Sequence, residues 1–430
     1  MCLPILVFCR NDFRKGAKSG LFSFFCKQKS KYMQSSVLVL IFASVVILSY
    51  FFNIVSNKTR IPSVLLLMGS GMLFAFFERN TLVSAQAINK LVEVLGIMGL
   101  IMIILEASLD LHITKDKKLM IVKAFVSGLI ILLASSFAIA YLLNHWLNEP
   151  FIECLIYATP LSIVSSAILI PSLGQLTPEK KEFLIYESSF SDILGILFFN
   201  YLISEGSTQP LNAVFYLGQM GLSIVLSIAF AFVLVYYLGK IKLHIKFFLI
   251  FAVLSALYAL GKITHLPSLL IILFFGLIIN NRQFFQDIPW VNKNIPDEES
   301  FKELEGQLKS VTAETAFLVR TFFFILFGYS IDIAKLAVQE VQILGSIIVV
   351  ILLVVRLLFL RYLNPKENPL PELFLMPRGL ITILLFYSIP SSRELEHFNT
   401  GILFFVILVT AVLMMIGLMS VKNEKEVVDL

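Results

Sequence analysis

Glu187-Ser188-Ser189-Phe190-Ser191-Asp192 sets two carboxylates and three hydroxyls among about twenty otherwise apolar residues, between Phe183 to Tyr186 and Ile193 to Ile203. A charge near the centre of a bilayer costs several kcal/mol, so an acid kept there faces a cavity or a partner and belongs to an ion or proton path. On a helix Ser188 shares a face with Asp192, four residues on, whereas Glu187 points about 140° away. The chemistry this allows is exchange. A lone acid in a medium of low dielectric is neutralised by a proton or by a small cation, not by both at once. A hard monovalent cation prefers oxygen ligands, which makes Asp192, Ser188 and Thr159, with the backbone carbonyls freed at Pro160, the candidate binding residues.

The elements that must position these groups are membrane spans. The chain has 430 residues, 58% of them hydrophobic, and forty phenylalanines, with a mean hydropathy of +0.88. That composition excludes a soluble domain and predicts an all-α polytopic membrane protein. Apolar runs give about thirteen spans: 36–56, 61–78, 91–113, 119–147, 151–173, 182–204, 210–239, 245–262, 267–281, 311–334, 339–362, 370–390 and 399–420. Alternate connections carry eighteen basic residues, among them Lys115, Lys117, Lys118, Lys180 and Lys181, against five: Arg79, Lys90, Lys262, Lys335 and Arg393. This bias puts the short tail 421–430, and with it the C-terminus, in the cytoplasm. Residues 1–35 dissent, with seven basic residues on the wrong side for an odd number of spans. They are expected to be a non-native or disordered extension, with translation starting at Met33. A basic arm on anionic lipid is the alternative, and it needs an even span count. Three of the four cysteines, Cys2, Cys9 and Cys26, lie there and Cys154 lies in a span, so nothing points to disulfides.

Span 5 carries Thr159-Pro160, Ser162, Ser165, Ser166 and Pro171, and span 12 carries Pro377-Arg378-Gly379. Proline removes a backbone donor, so both spans are expected to break near mid-membrane. They occupy corresponding places in spans 1–6 and 8–13, the mark of an inverted repeat whose broken helices cross at a substrate site. Span 7, within 208–240, is then a linker helix. Between spans 9 and 10, Phe301, Leu304 and Leu308 recur at helical spacing, predicting a short amphipathic helix on the cytoplasmic surface.

Depth along the helices ranks the remaining charges. Asp192 lies eleven residues beyond Lys181, about 16 Å along a helix and so the middle of a hydrocarbon layer of about 30 Å. Glu187 and Arg356 share a depth of about 9 Å from the cytoplasmic side and fit as a buried pair, with Arg378 only slightly deeper. Glu106, in span 3, is deep enough to approach Asp192 if spans 3 and 6 meet, or to serve as a pathway acid. Arg320 and Glu314, six apart in span 10, are expected to pair with each other. Arg378 is placed to neutralise helix-end carbonyls or to line a cytoplasmic funnel.

These residues together resemble the cation/proton antiporter superfamily, sodium/proton exchanger branch. Its sixth-helix signature Glu-Ser-x-x-Asn-Asp reads here Glu187-Ser188-Ser189-Phe190-Ser191-Asp192, and the helix count, the broken fifth and twelfth helices, the Arg378-Gly379 step and an acid in the third span also match over about residues 36–420. The resemblance implies a homodimer in the cell (inner) membrane. It implies scaffold helices 1–3 and 8–10 (36–113 plus 245–334) and a transport core of helices 4–6 and 11–13 (119–204 plus 339–420). It further implies Asp192 as the exchange carboxylate, with Ser188, Thr159 and Glu106 nearby and Glu187 paired to Arg356. Two positions depart. The usual Thr-Asp-Pro of the fifth helix is Thr159-Pro160 without the acid, and the Asn before the key Asp is Ser191. By analogy, Ser191 in place of a second acid implies one proton per cation and an electroneutral cycle.

The expected function is thus exchange of sodium, lithium or potassium for protons, with cation, proton and membrane lipid as the partners. There is no nucleic acid, cofactor or resident metal in this reading, only a transported monovalent cation. A carrier for another solute, with Arg378 or Arg320 as counter-charge, and a transport-deficient sensor of the same fold are the alternatives. An enzyme is not expected: the five histidines lie near span ends, and neither H-E-x-x-H nor a phosphate-binding Gly-rich lysine motif occurs.

Overall fold

The computed structural model describes residues 39–40, 42–56, 58–59, 61–77, 85–111, 117–173, 176–203, 222, 225–237, 247–264, 268–281, 298–331, 333–363 and 368–420. The expectations for residues 1–35, for the tail 421–430 and for the first half of span 7 lie outside these. Two units divide the chain, Met1–Ile54 and Val55–Leu430. The described part of the first belongs to helix α1, Phe42–Ser56, where the rings of Phe51 and Phe52 lie 6.2 Å apart.

Among the described residues there is no strand, and an apolar helix occupies each of the thirteen expected spans. After α1 come α2 (Ser63–Phe77), α3 (Ala85–Asp110), α4 (Lys118–Leu147) and α5 (Phe151–Ser162, resumed at Ser166–Leu169 and a final turn Ile170–Ser172). Then follow α6 (Pro178–Ile203), α7 (Val225–Tyr237), α8 (Phe247–Thr264), α9 (Ser268–Asn280) and α10 (Glu298–Ser330). The chain closes with α11 (Gln339–Leu363), α12 (Leu380–Tyr387) and α13 (Gly401–Ser420). Helices are the form this sequence must take: with no water in hydrocarbon, each backbone polar group has to be satisfied within its own segment.

Two local expectations are corrected, and one is placed more closely. The separate amphipathic helix before span 10 does not form. Glu298–Ser330 is one helix of 33 residues, because no proline interrupts it and Gly306 alone is too weak a breaker. As expected span 5 breaks, but not at Pro160 itself. It sits inside the helix, forfeiting one donor, and the chain leaves helical geometry only at Ile163–Ser165, where Ile163 has φ −72°, ψ 130° and Ser165 φ −77°, ψ 112°. Span 12 is not two half-helices: residues 370–374 are turns, 375–379 run extended, and only Leu380–Tyr387 is helical.

Helices α2, α3, α8, α9 and α10 pack with one another, as do α4, α5, α6, α11 and α13, while α12 touches α3 on one side and α5 and α6 on the other. The α2–α10 seam is backbone against backbone. A Cβ on Gly71 would lie 2.1 Å from the Ile325 carbonyl oxygen and 2.8 Å from the Tyr329 nitrogen, and one on Gly328 would lie 2.2 Å from the Met68 oxygen. Small residues at such contacts are how membrane helices gain packing without a hydrophobic driving force. Gly71→Val must therefore push two helices apart, at a cost of about 1–3 kcal/mol. The thermal aggregation midpoint of the detergent-purified variant is expected to fall clearly below that of the parent, and an unchanged midpoint would contradict this packing.

Candidate functional site

Unwinding α5 strips three successive amides of their helical acceptors, and each finds another. Val164 N donates to Ser191 Oγ at 3.0 Å, Ser165 N to the Pro377 carbonyl at 2.9 Å and Ser166 N to Asp192 Oδ2 at 3.1 Å. The middle bond joins the unwound segment of α5 to the extended segment before α12, so the two interrupted spans cross there. Their approach leaves no room for a side chain. A Cβ on Gly379 would meet Ile168 Cδ1 at 2.6 Å and Ser165 Oγ at 2.7 Å.

Asp192 is 3% exposed and sits beside this crossing. Both of its hydrogen bonds come from Ser166, whose Oγ donates to Oδ2 at 2.5 Å in addition to the amide. Oδ1 is buried without a hydrogen-bond partner, as are Ser165 Oγ and Thr382 Oγ1. One carboxylate oxygen is thus committed to the fold and the other is not.

Arg378 closes the end of the first α5 segment. Its Nε donates to the Leu161 carbonyl at 2.7 Å and Nη1 to that of Met376 at 2.6 Å, while its amide donates to Thr410 Oγ1 at 3.2 Å. Leu161 is among the last residues of a helical segment, whose carbonyls lack intrahelical partners and carry partial negative charge, so a cation there has the right sign. Of the two roles open to Arg378, the geometry gives it the carbonyls.

Glu187 faces away from Asp192 into a second buried cluster. Arg356 Nη2 reaches its Oε2 at 2.9 Å, and Ser127 Oγ donates to Oε1 at 2.6 Å. Arg356 Nε donates to the Glu372 carbonyl at 2.8 Å, and the Glu372 side chain holds Lys180 at 2.8 Å. Glu187 and Arg356 are each 1% exposed. The cluster ties α4, α6 and α11 to the turn that leads into the crossing.

Residues 39–421 match the sodium/hydrogen exchanger transmembrane family. The chain belongs to that family. In overall structure this exchanger is similar to the sodium proton antiporter MjNhaP1 from Methanocaldococcus jannaschii at pH 8, at 21% identity and a TM-score of 0.67, covering 88% of this chain and 99% of that one. An electron-microscopy map of the same antiporter gives 19% identity and a TM-score of 0.65, over 89% of this chain and 94% of that one. No curated protein matches the chain. Membership makes this exchanger an integral membrane transporter of the cation/proton antiport class, not an enzyme.

The other residues of the exchanger singled out by sequence have partners of their own. Ser188 Oγ donates to the Leu184 carbonyl at 2.8 Å and Thr159 Oγ1 to that of Leu155 at 2.8 Å, so both spend their hydrogens on their own helices. Glu106 is held by Arg320, at 3.0 and 3.3 Å. That pair replaces the expected Arg320–Glu314 one, because residues six apart point about 120° away from each other on a helix. Ser166 and Ser127 were not among the predicted site residues. Ser166 had a signal, a doubled serine between two prolines in a span due to break; Ser127 had only a hydroxyl in an apolar run.

The Glu187–Arg356 geometry yields a test of this exchanger that does not need transport. Removing one partner leaves a buried charge unpaired, which costs about 3–5 kcal/mol. Arg356→Met alone is expected to lower the yield of monodisperse protein severely, and Glu187→Gln combined with Arg356→Met to recover much of it. Equal yields for the single and double variants would show that the pair does not act as a unit.

Proposed function

We propose that this chain exchanges a monovalent cation, sodium, lithium or potassium, for protons, with Asp192 holding each in turn and one proton moving per cation. The observation that carries the reading is the divided carboxylate. Oδ2 is fixed by Ser166, whereas Oδ1 is buried beside the crossing of the two interrupted spans with no partner. An ionised oxygen in that setting gains from a proton or a cation and has space in its coordination for one. A single acid that takes either ion gives an electroneutral cycle.

Helices α4–α6 and α11–α13 are then the moving core, and α1–α3 with α8–α10 the scaffold. The mutual packing of α2, α3, α8, α9 and α10, and that of α4, α5, α6, α11 and α13, with α12 at the seam, supports this division. We place the protein in the cell (inner) membrane as a homodimer, as its resemblance to the family implies, with a cytoplasmic C-terminus on the basic-residue bias of its connections. Ser191, Pro160 and Arg378 support the site by shaping the crossing, and Thr159 and Ser188 keep lone pairs that can face an ion. The anion-carrier reading loses its counter-charges: Arg378 is engaged by carbonyls and Arg320 by Glu106.

In proteoliposomes holding a pH-sensitive dye, added sodium, lithium or potassium should collapse an imposed pH gradient. Asp192→Asn should reduce the response to that of protein-free vesicles, and an undiminished response would remove Asp192 from the mechanism. Competition fixes the sign of the pH dependence. Raising the cation displaces the proton, so the pH of half-maximal exchange moves down, by about one unit per tenfold cation in one-for-one competition. A profile that stays put as cation rises would mean two separate sites.

A further inference from the structure

Each oxygen of an ionised carboxylate offers about two lone-pair directions. At Asp192 both directions of Oδ2 are taken by one residue, Ser166, whose amide donates at 3.1 Å and whose Oγ donates at 2.5 Å. Oδ1 is buried with no hydrogen-bond partner. A cation can therefore be held by one oxygen of this acid, and is not chelated by two. The surroundings leave the carboxylate little slack to turn. A Cβ on Gly195, three residues beyond Asp192 on α6, would meet Ile163 Cδ1 at 2.3 Å, so the unwound segment of α5 fills the notch beside the acid. The same segment is met by span 12 at Gly379, where a Cβ would lie 2.7 Å from Ser165 Oγ. The Ser166 amide is itself bound to stay, since the unwinding has removed its helical acceptor and Oδ2 is the one it has found.

We propose that Ser166 determines which cation is exchanged: by occupying Oδ2 it makes Asp192 a one-oxygen ligand, which takes lithium and sodium in preference to potassium. The inference rests on the reading above, in which Asp192 holds the transported cation. Hard cations divide by size in how they use a carboxylate. The small magnesium ion demands short contacts in near-ideal geometry, which the narrow bite of a chelating carboxylate distorts, whereas the larger calcium ion takes a carboxylate by one oxygen or by two. Lithium and sodium stand to potassium as the smaller ion to the larger. A large ion gains less from each oxygen and depends more on how many it collects. Withholding the second oxygen therefore costs potassium more than it costs sodium. Ser166 acts here through Asp192, as a positioning residue.

The test uses the purified full chain in liposomes that hold a pH-sensitive dye, and reads the concentration of lithium, sodium or potassium that gives half-maximal exchange at one pH. In the parent protein that concentration should be clearly higher for potassium than for lithium or sodium. Ser166→Ala frees one lone pair of Oδ2 while the amide keeps the other, and the potassium-to-sodium ratio should fall about fivefold, the worth of one such contact. Ser166→Thr keeps the hydroxyl and should keep the parent ratio. A merely structural Ser166 would raise all three concentrations together or lower the maximal rate, and an unchanged ratio in Ser166→Ala overturns the proposal. Where Ser166→Ala yields no folded protein, Ser166→Cys, which keeps the bulk with a weaker donor, is read in the same way. A parent protein that takes potassium as readily as sodium overturns the proposal alone. Absence of exchange with all three cations overturns the exchange reading and this inference with it.

Discussion

A backbone amide in hydrocarbon has to find an acceptor, and the unwound stretch of α5 leaves three in a row without one. Everything at the centre of this protein follows from where those three bonds go. Two end on side chains of α6, Ser191 and Asp192, and the third on the carbonyl of Pro377. Without these acceptors the stretch would be driven back into helix, and with them it stays open at the depth of the acid. Asp192 is therefore, first of all, a structural acceptor. The same bond that keeps the helix unwound orients the carboxylate, which is why one of its oxygens is fixed and the other left over.

The two arginines of the core solve different problems. Arg356 meets a formal charge, Glu187, and adds the Glu372 carbonyl, so it is a staple between α6, α11 and the turn before the crossing. Arg378 meets only dipoles, the carbonyls freed where the α5 helix stops and where span 12 runs extended. A helix terminus presents about half a unit of charge, so a full guanidinium over-neutralises it.

Much of this was legible in the sequence because hydrocarbon imposes simple rules. Thirteen apolar stretches, the buried acid in α6 and the two interrupted spans follow from length, charge and proline alone. The depth estimate also set Glu187 level with Arg356, since rise per residue is nearly constant in a membrane helix. What it could not convey was rotation and partner choice. Ser188 shares a face with Asp192, yet its hydroxyl is nearer its own Leu184 carbonyl. Glu106 has the right depth, but α3 packs against α10 and Arg320 claims it. Pro160 marks a weakened helix, whereas the break falls where acceptors from α6 and from the segment before α12 are waiting, information held by residues far along the chain.

Those distant acceptors also explain why α12 belongs to both halves of the structure. Its N-terminal end begins at the crossing, three residues after Pro377, and its side chains continue to the seam with α3. There Leu384 and Leu380 lie against Gly96 and Gly99, so close at Gly96 that a Cβ would sit 2.3 Å from Leu384 Cδ2. Leu384 thus fills the notch that Gly96 leaves, which lets the two helices approach closely. The polar pair that could have pinned this seam, Glu106 and Arg320, instead joins α3 to α10 and stays on one side of it. Close apolar packing on glycine therefore holds the α12–α3 seam, whereas the ion pair of α3 secures it to α10.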